Sequence, residues 1–331
     1  MRVLHVTNNY PSVKNPDYGV FTKDQIDKVK ALGVNSDLLF INAREYGIKE
    51  YFRAFKKIKY IYKQYDVIHC FHGLTLIVAF LATKKKPILI SFLNEIKYEN
   101  FKKSKVVNEI YVFLYKLIIA SNRVFTIFKD KIPENLKNNG RSFYLPNGID
   151  LEAFHPVDNL ESCKILNLDP TKKYILFVSS KNIDRSQKRY DIFKSTIEIL
   201  KVKFASYNFE ELIMSNVPRD KCIYYYNASC LHLLTSDYEG SPNSVKESMG
   251  CNTPVVSTDV GNVKLMIDKA ENCFISSQNP ESLAEYIIRS LDVSPCNLRD
   301  VLQINNLSSE QKSKELFQIY RKILNGKRNF D

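Results

Sequence analysis

No stretch of this 331-residue sequence reaches the roughly 18 consecutive apolar residues that a membrane span needs. The longest apolar runs, such as LTLIVAFLA at 74–82, fall well short. The opening, MRVLHVTNNY, lacks the basic segment, long apolar run and small-residue cleavage site of a secretory signal. It reads as a strand, and the expected location is cytoplasmic. Seven cysteines lie scattered at 70, 163, 222, 230, 251, 273 and 296, with no Cys-x-x-Cys pair and an odd count. That pattern supports neither a disulfide framework nor a zinc site, and reduced thiols are the simple reading. There is no short-period repeat, no low-complexity segment, no Asp-x-Asp pair and no nucleic-acid recognition motif.

What is present is enough for two cores. The length fits about two domains, and 44% hydrophobic with 25% charged residues describes a folding chain. The net charge of +12 is unevenly spread. Residues 1–150 carry 25 Lys and Arg against 13 Asp and Glu, and the remainder carries 23 of each. Two readings stand: a first domain that meets an anionic surface, phospholipid or nucleic acid, or an AT-rich genome that inflates Lys, Asn, Ile and Tyr.

Strand and helix signals alternate. Strands are predicted at 2–7, 36–42, 66–71, 87–92, 123–128 and 142–146, with helices at 20–33, 51–65, 74–83, about 98–119 and 129–138. The turn-rich LPNGIDLEAFHP (145–156) interrupts the series. Beyond it, strands are predicted at 174–179, 231–236 and 254–259, and helices at 190–204, 242–250, 280–292 and 308–326. Alternation of this kind specifies an α/β fold with parallel sheets. The expected architecture is two doubly wound, Rossmann-like domains in tandem with a cleft between them, spanning 1–153 and 154–307, with a terminal segment 308–331 that returns toward the first.

The most informative stretch is TSDYEGSPNSVKESMG (235–250). Ser241 is expected as N-cap and Pro242 as the first helical residue. The amides of Asn243, Ser244 and Val245 would then be free for a phosphate, at the carboxyl edge of the sheet. Two carboxylates beside a phosphate must address something else, and vicinal hydroxyls fit an acceptor-only group. Glu239 and Glu247 on either side of a diphosphate site describe a nucleotide-sugar. The bland alternative is a solvated loop glutamate and an ordinary helix-face glutamate.

SDYEGSPNSVKESMGCNTPVVSTDVGN resembles the Glu-x7-Glu signature of the family-4 retaining glycosyltransferases of the GT-B fold. HVTNNYPSVKNPDYGVFTKDQI, DVIHCFHG and LPNGIDLEAFHP agree in order, so the resemblance covers nearly the whole chain. Capsule, exopolysaccharide and teichuronic-acid members are the most similar. The resemblance implies that Glu239 contacts donor hexose hydroxyls and Glu247 the ribose. It also implies that the backbone at Gly240, Ser241, Pro242, Asn243 and Ser244 approaches sugar and phosphate. Lys188 matches the family's diphosphate lysine. The family's arginine is not at its usual place, and Arg185 or Lys181 must stand in, Arg185 being preferred for its bidentate guanidinium. These cations make a metal unnecessary, so no cofactor or metal is expected.

Gly19 matches the glycine-loop residue that lets phosphate or acceptor approach, with a plain turn glycine as the alternative. His72 is a candidate to orient the acceptor or exchange protons, or is a satisfied structural histidine; His69 reads as core. Where relatives carry a histidine this sequence has Leu93, with Asn94 and Glu95 as polar acceptor-side candidates. The second domain is short, and a strand–helix unit is expected to be trimmed around 204–229. The basic helix EYFRAFKKIKYIYKQY (50–65) suggests an anionic membrane surface, with an ordinary surface helix as the alternative. The expected function is transfer of a hexose from a UDP- or GDP-sugar to a polysaccharide or lipid-linked glycan, without nucleic acid. A nucleotide-sugar epimerase of the same fold and a non-catalytic nucleotide-sugar-binding protein are the alternatives.

Overall fold

The computed structural model describes residues 1–16, 18–92, 105–179, 182–183 and 185–327. Leu93, Asn94, Glu95 and Lys181 therefore lie outside the described residues. The chain divides into two compact units, Met1–Gly148 with Ser309–Asp331, and Ile149–Ser308.

Unit 1 is built on a six-stranded parallel sheet. Its strands are β1 (Arg2–Thr7), β2 (Asn35–Phe40), β3 (Val67–Cys70), β4 (Ile88–Ser91), β5 (Val124–Phe128) and β6 (Ser142–Tyr144), in the spatial order β2-β1-β3-β4-β5-β6. Its helices are α1 (Val20–Ala31), α2 (Ala43–Tyr46), α3 (Lys49–Ile61), α4 (Gly73–Ala82) and α5 (Lys105–Ala120). On one face, α3, α4 and α5 cover Leu4, Val6, Ile68, Ile88 and Ile90 with Ala54, Ile58, Leu76, Ala79 and Tyr115. On the other, Val3, Val67, Leu89 and Ile127 meet Val29 of α1 and Leu316, Tyr320 and Ile323 of the terminal helix. Strands buried on both faces read as continuous apolar runs, which is why their positions were legible.

Unit 2 begins with α6 (Asn159–Leu166) and holds a five-stranded parallel sheet. Its strands are β7 (Lys173–Ser179), β8 (Phe209–Ser215), β9 (Ser229–Leu234), β10 (Val255–Thr258) and β11 (Phe274–Ser276), in the order β11-β10-β9-β7-β8. The helices are α7 (Tyr190–Lys203), α8 (Cys222–Ala228), α9 (Asn243–Gly250), α10 (Val263–Ile267), α11 (Pro280–Asp292) and α12 (Leu298–Ile304). The final helix, α13 (Ser309–Lys327), belongs to unit 1.

Three expectations are corrected. The helix predicted at 129–138 is absent and only a single 3₁₀ turn, Glu134–Leu136, forms there. Pro133 precedes that turn with extended backbone, and a proline disfavours helical geometry in the residue before it. The stretch 204–229, where no strand was predicted, holds a strand, β8, and a short helix, α8. Strand β8 lies at the sheet edge, where Glu210 faces Lys172 and Lys201, so its charges hid it from a search for buried runs. The helix after Gly240 starts one residue later than expected: Pro242 is its N-cap and Asn243 its first residue.

Both sheets share one organising feature. In each, the first strand in sequence is flanked by the second on one side and the third on the other. The topological switch point therefore lies between β1 and β3 in unit 1 and between β7 and β9 in unit 2. Loops leaving the carboxyl ends of those strands diverge there and leave a crevice for ligands.

Candidate functional site

The loop leaving β7 carries Lys188, and the loop leaving β9 carries Glu239. The two meet: Lys188 Nζ lies 2.7 Å from Glu239 Oε1, with side-chain exposures of only 10% and 13%. Ser236 Oγ donates to the same carboxylate oxygen at 2.9 Å. Thr235 Oγ1 donates to the Lys188 carbonyl at 2.8 Å, and Asp237 N donates to the Gln187 carbonyl at 2.8 Å, which ties the two loops together through their backbones as well. Arg185 is exposed and bonds Gln187 instead, outside this network.

The second carboxylate has a separate harness. Glu247 is 5% exposed. Its Oε1 accepts from Arg219 at 2.7 Å and its Oε2 from the Tyr226 hydroxyl at 2.8 Å. Burial would lower the Arg219 pKa, but the Glu247 charge and its hydrogen bond, with smaller help from Tyr226 and Cys222, outweigh it and the net shift is upward. Burial and the same carboxylate both push the Tyr226 pKa well up, so this phenol stays a donor. Arg219 also lies over the Phe154 ring, 4.5 Å from its centroid.

Helix α9 starts between these two carboxylates in sequence. Its N-cap is proline, which has no side-chain oxygen to offer the first-turn amides. Ser241, expected to cap the helix, instead receives the fully buried Lys246: Nζ reaches its hydroxyl at 2.8 Å and its carbonyl at 3.3 Å. Gly240, Pro242 and Ser244 are buried, Asn243 is half-buried, and the Asn243 Oδ1 and Ser244 Oγ atoms have no protein partner. Gly261 has a φ of +55°, and a Cβ there would sit 2.2 Å from the Gly240 carbonyl oxygen. The 260–262 loop is thus pressed against the Glu239–Gly240 backbone, and Asn262 N donates to the Gly240 oxygen at 3.1 Å. Beneath lies His232 of β9, wholly buried, its ring bonded to the Leu176 carbonyl at 3.1 Å. Burial holds its pKa down at about 4, and the charges of Lys188, Glu247 and Glu239 all reach it.

In unit 1 the two remaining residues named from sequence also fall at the switch point. Gly19 ends the loop after β1 and caps α1 with φ +76°. A Cβ there would lie 2.4 Å from the Asn9 carbonyl carbon and oxygen, so its missing side chain makes room for the chain itself. His72 follows β3 and N-caps α4, its Nδ1 accepting from Leu74 N at 3.2 Å. That bond fixes the tautomer with the proton on Nε2. His69 is core, as read: it bonds Tyr320 at 2.6 Å and Ser91 at 2.8 Å.

Comparison with known proteins fits this geometry. The family described as "Glycosyl transferases group 1" matches residues 201–292. A Bacillus subtilis (strain 168) protein assigned as the teichuronic acid biosynthesis glycosyltransferase TuaC is 33% identical over 78 residues, 24% of this chain. That match spans 20% of the relative's length. Among solved structures, sucrose-phosphate synthase from Thermosynechococcus elongatus superposes with a TM-score of 0.72 at 17% identity, over 98% of this chain and 100% of that one. A glycosyltransferase from Rickettsia africae ESF-5 gives 0.69 at 15%, over 98% of each chain. Anabaena HepE, in complex with UDP and glucose, gives 0.68 at 11%, over 96% and 98%. The fold is GT-B, as the resemblance implied.

Within the matched segment 201–292, sequence reading overlooked Arg219, Tyr226, Lys246 and His232. Arg219 follows the carboxyl end of β8 by four residues. Recognising β8 would have placed this cation at the ligand edge. Nothing local signals Lys246, whose burial depends on the loop folding back over it.

Proposed function

We propose that this chain transfers a hexose from a nucleoside-diphosphate sugar, UDP- or GDP-linked, to a polysaccharide or lipid-linked glycan in the synthesis of cell-surface polysaccharide. The observation that carries the donor half is the pair of ion-paired carboxylates that flank the start of α9, Glu247 buried and Glu239 nearly so. HepE, of similar fold, is described with UDP and with UDP-glucose.

In this reading the diphosphate rests on the first-turn amides of α9, whose proline cap leaves them available. Lys188 uses one of three ammonium donors on Glu239 and keeps two for phosphate oxygens. Lys246 and Arg219 add positive charge to the same loops. Together they stabilise the charge that builds on the leaving diphosphate, an electrostatic role that requires no metal. Glu247, gripped by Arg219 and Tyr226, retains lone pairs for the ribose hydroxyls, and Glu239 for those of the hexose. Asn243 Oδ1 and Ser244 Oγ supply further polar partners. His72 of unit 1, with Nε2–H outward of its capping bond, serves the acceptor. Retention of anomeric configuration rests on the resemblance of 235–261 to family-4 enzymes, and work at the inner membrane face on the basic first domain.

The test is a thermal-shift panel of nucleotide-sugars, UDP-glucose and GDP-mannose included, on the wild type and Glu247→Ala. One donor raises the melting temperature, and the substitution removes most of that gain. Equal shifts in both proteins would take Glu247 out of the site.

A further inference from the structure

Helix α5 is apolar on two sides. Tyr111, Tyr115, Ile118 and Ile119 face the core of unit 1 at 6%, 0%, 7% and 8% exposure. Ile110, Phe113, Leu114 and Leu117 follow the i, i+3, i+4, i+7 spacing of a single helix face and are 55%, 62%, 44% and 55% exposed. Single exposed apolar residues are ordinary, whereas four at helical spacing form a patch. Helix α4 packs between α5 and α3 in the same layer and adds Leu81 at 66% exposure, while α3 adds Phe52 at 68% and Tyr60 at 87%.

Charge surrounds this patch with one dominant sign. Lys56, Lys57 and Lys63, on and just after α3, and Lys84 and Lys85 after α4, are exposed and form no ion pair among the described residues. The single acid of α3, Glu50, is paired to Arg53. No described helix is long and apolar enough to cross a membrane. An apolar stripe with a basic surround on a helix of 16 residues suits the plane of a lipid interface.

We propose that the α3–α4–α5 layer of unit 1 is a membrane-docking face. The α5 stripe of Ile110, Phe113, Leu114 and Leu117 enters the headgroup–acyl boundary, and the lysines of α3 and the α4 end hold anionic phospholipid. The complementary charge selects an anionic bilayer over a neutral one. This rests on the proposed action at a membrane face and is independent of the donor assignment. It moves the contact from the basic helix 50–65, where sequence placed it, to an apolar face beside it.

The chain contains no tryptophan, so one introduced residue reports cleanly. The full chain is sedimented with phosphatidylcholine vesicles and with vesicles that also contain phosphatidylglycerol, in roughly a 7:3 ratio. Wild type pellets with the anionic vesicles alone. Phe113→Ser/Leu117→Ser weakens that binding on the order of tenfold or more, since two buried apolar side chains are lost. Emission of the Leu117→Trp variant shifts to the blue on anionic vesicles and is quenched by brominated acyl chains. The UDP-glucose thermal shift, measured on the same samples, stays intact in the double variant; this shows that it is folded and keeps the donor reading separate. Wild type ignoring both vesicles, a double variant that binds as wild type, or an unshifted indole emission from Leu117→Trp overturns the proposal. So does a double variant whose only change is loss of a dimer in analytical ultracentrifugation, which would assign the stripe to a second copy of the chain.

Discussion

The two switch points are built alike and charged differently. Each lies between the first and third strands of a parallel sheet, and each has a glycine with positive φ into which no Cβ fits: Gly19 against Asn9 in unit 1, Gly261 against Gly240 in unit 2. In unit 2 the loops are then locked by two ion pairs, the nearly buried Lys188–Glu239 and the half-exposed Arg219–Glu247. In unit 1 the corresponding loops are held by single hydrogen bonds, among them those of Ser12 and Asn15 to the Glu45 carboxylate at 2.6 and 3.3 Å. Thr7 Oγ1 bonds Asn9 N at 3.0 Å, Asn8 donates to the Tyr51 hydroxyl at 2.8 Å, and His72 accepts from Leu74 N. Topology supplies a crevice twice. The loop residues decide that one crevice is braced by ion pairs and the other by hydrogen bonds.

The largest effect expected from disturbing this contrast is Lys188→Met, which strands Glu239 in a nearly buried position. Removing one partner of such a pair costs about 3–5 kcal/mol, measurable as a lowered denaturation midpoint. Adding Glu239→Gln should recover most of the loss. If the double variant is as unstable as the single, the pair is not the lock proposed here.

Next in size are the two glycines. Gly261→Ala and Gly19→Ala each force a left-handed backbone on alanine and a clash with backbone atoms, at about 2–4 kcal/mol. Because the two crevices are built alike, the two losses should be similar. A mild effect at one position alone would break the parallel.

Buried amines sharpen the contrast further. Unit 1 buries Lys129 at 3% exposure with no hydrogen-bond partner, and burial, reinforced by Lys312, lowers its pKa to about 7. The unfolded chain keeps this proton up to about pH 10.5. Between those values the unfolded state binds more protons, so stability rises with pH by at most about 1.4 kcal/mol per unit. Below pH 7 both states are protonated and the dependence vanishes. Lys129→Met should stabilise the protein at pH 7 and flatten the rise, read as melting temperature from pH 7 to 10. A slope equal to that of wild type would sink this account. The buried Lys246 of unit 2, bonded to Ser241, should show the opposite response: Lys246→Met destabilises.

The smallest effect is His72→Ala, which removes only a helix cap, at about 1 kcal/mol. If sugar transfer to acceptor falls far more than stability does, while donor binding is retained, His72 works on the acceptor. If activity and stability fall together, it is a cap and no more.

Much of this was open to sequence reading because buried parallel strands and turn chemistry are local. β1, β3, β4 and β5 announce themselves as short apolar runs, and PNS after EGS marks the start of α9. Where locality failed, so did the reading. β8 carries Glu210 and Glu211 at a sheet edge, and KDKIPENLK has helical composition that Pro133 breaks. The partnership of Arg219 with Glu247 joins the turn after β8 to helix α9, 28 positions apart, and that of Lys188 with Glu239 spans 51.

The sequence alone determined the α/β alternation, the two cores and the position of Glu239 and Glu247 around a helix start, since each follows from periodicity or from spacing within a few residues. Only the tertiary structure decided that both carboxylates would be neutralised in place, that Lys246 would be buried under Ser241, and that α5 would leave half of its apolar surface outside. Those outcomes depend on which loops a sheet's strand order brings together and on how much of a helix its neighbours can cover. Neither quantity is written in any single window of the chain.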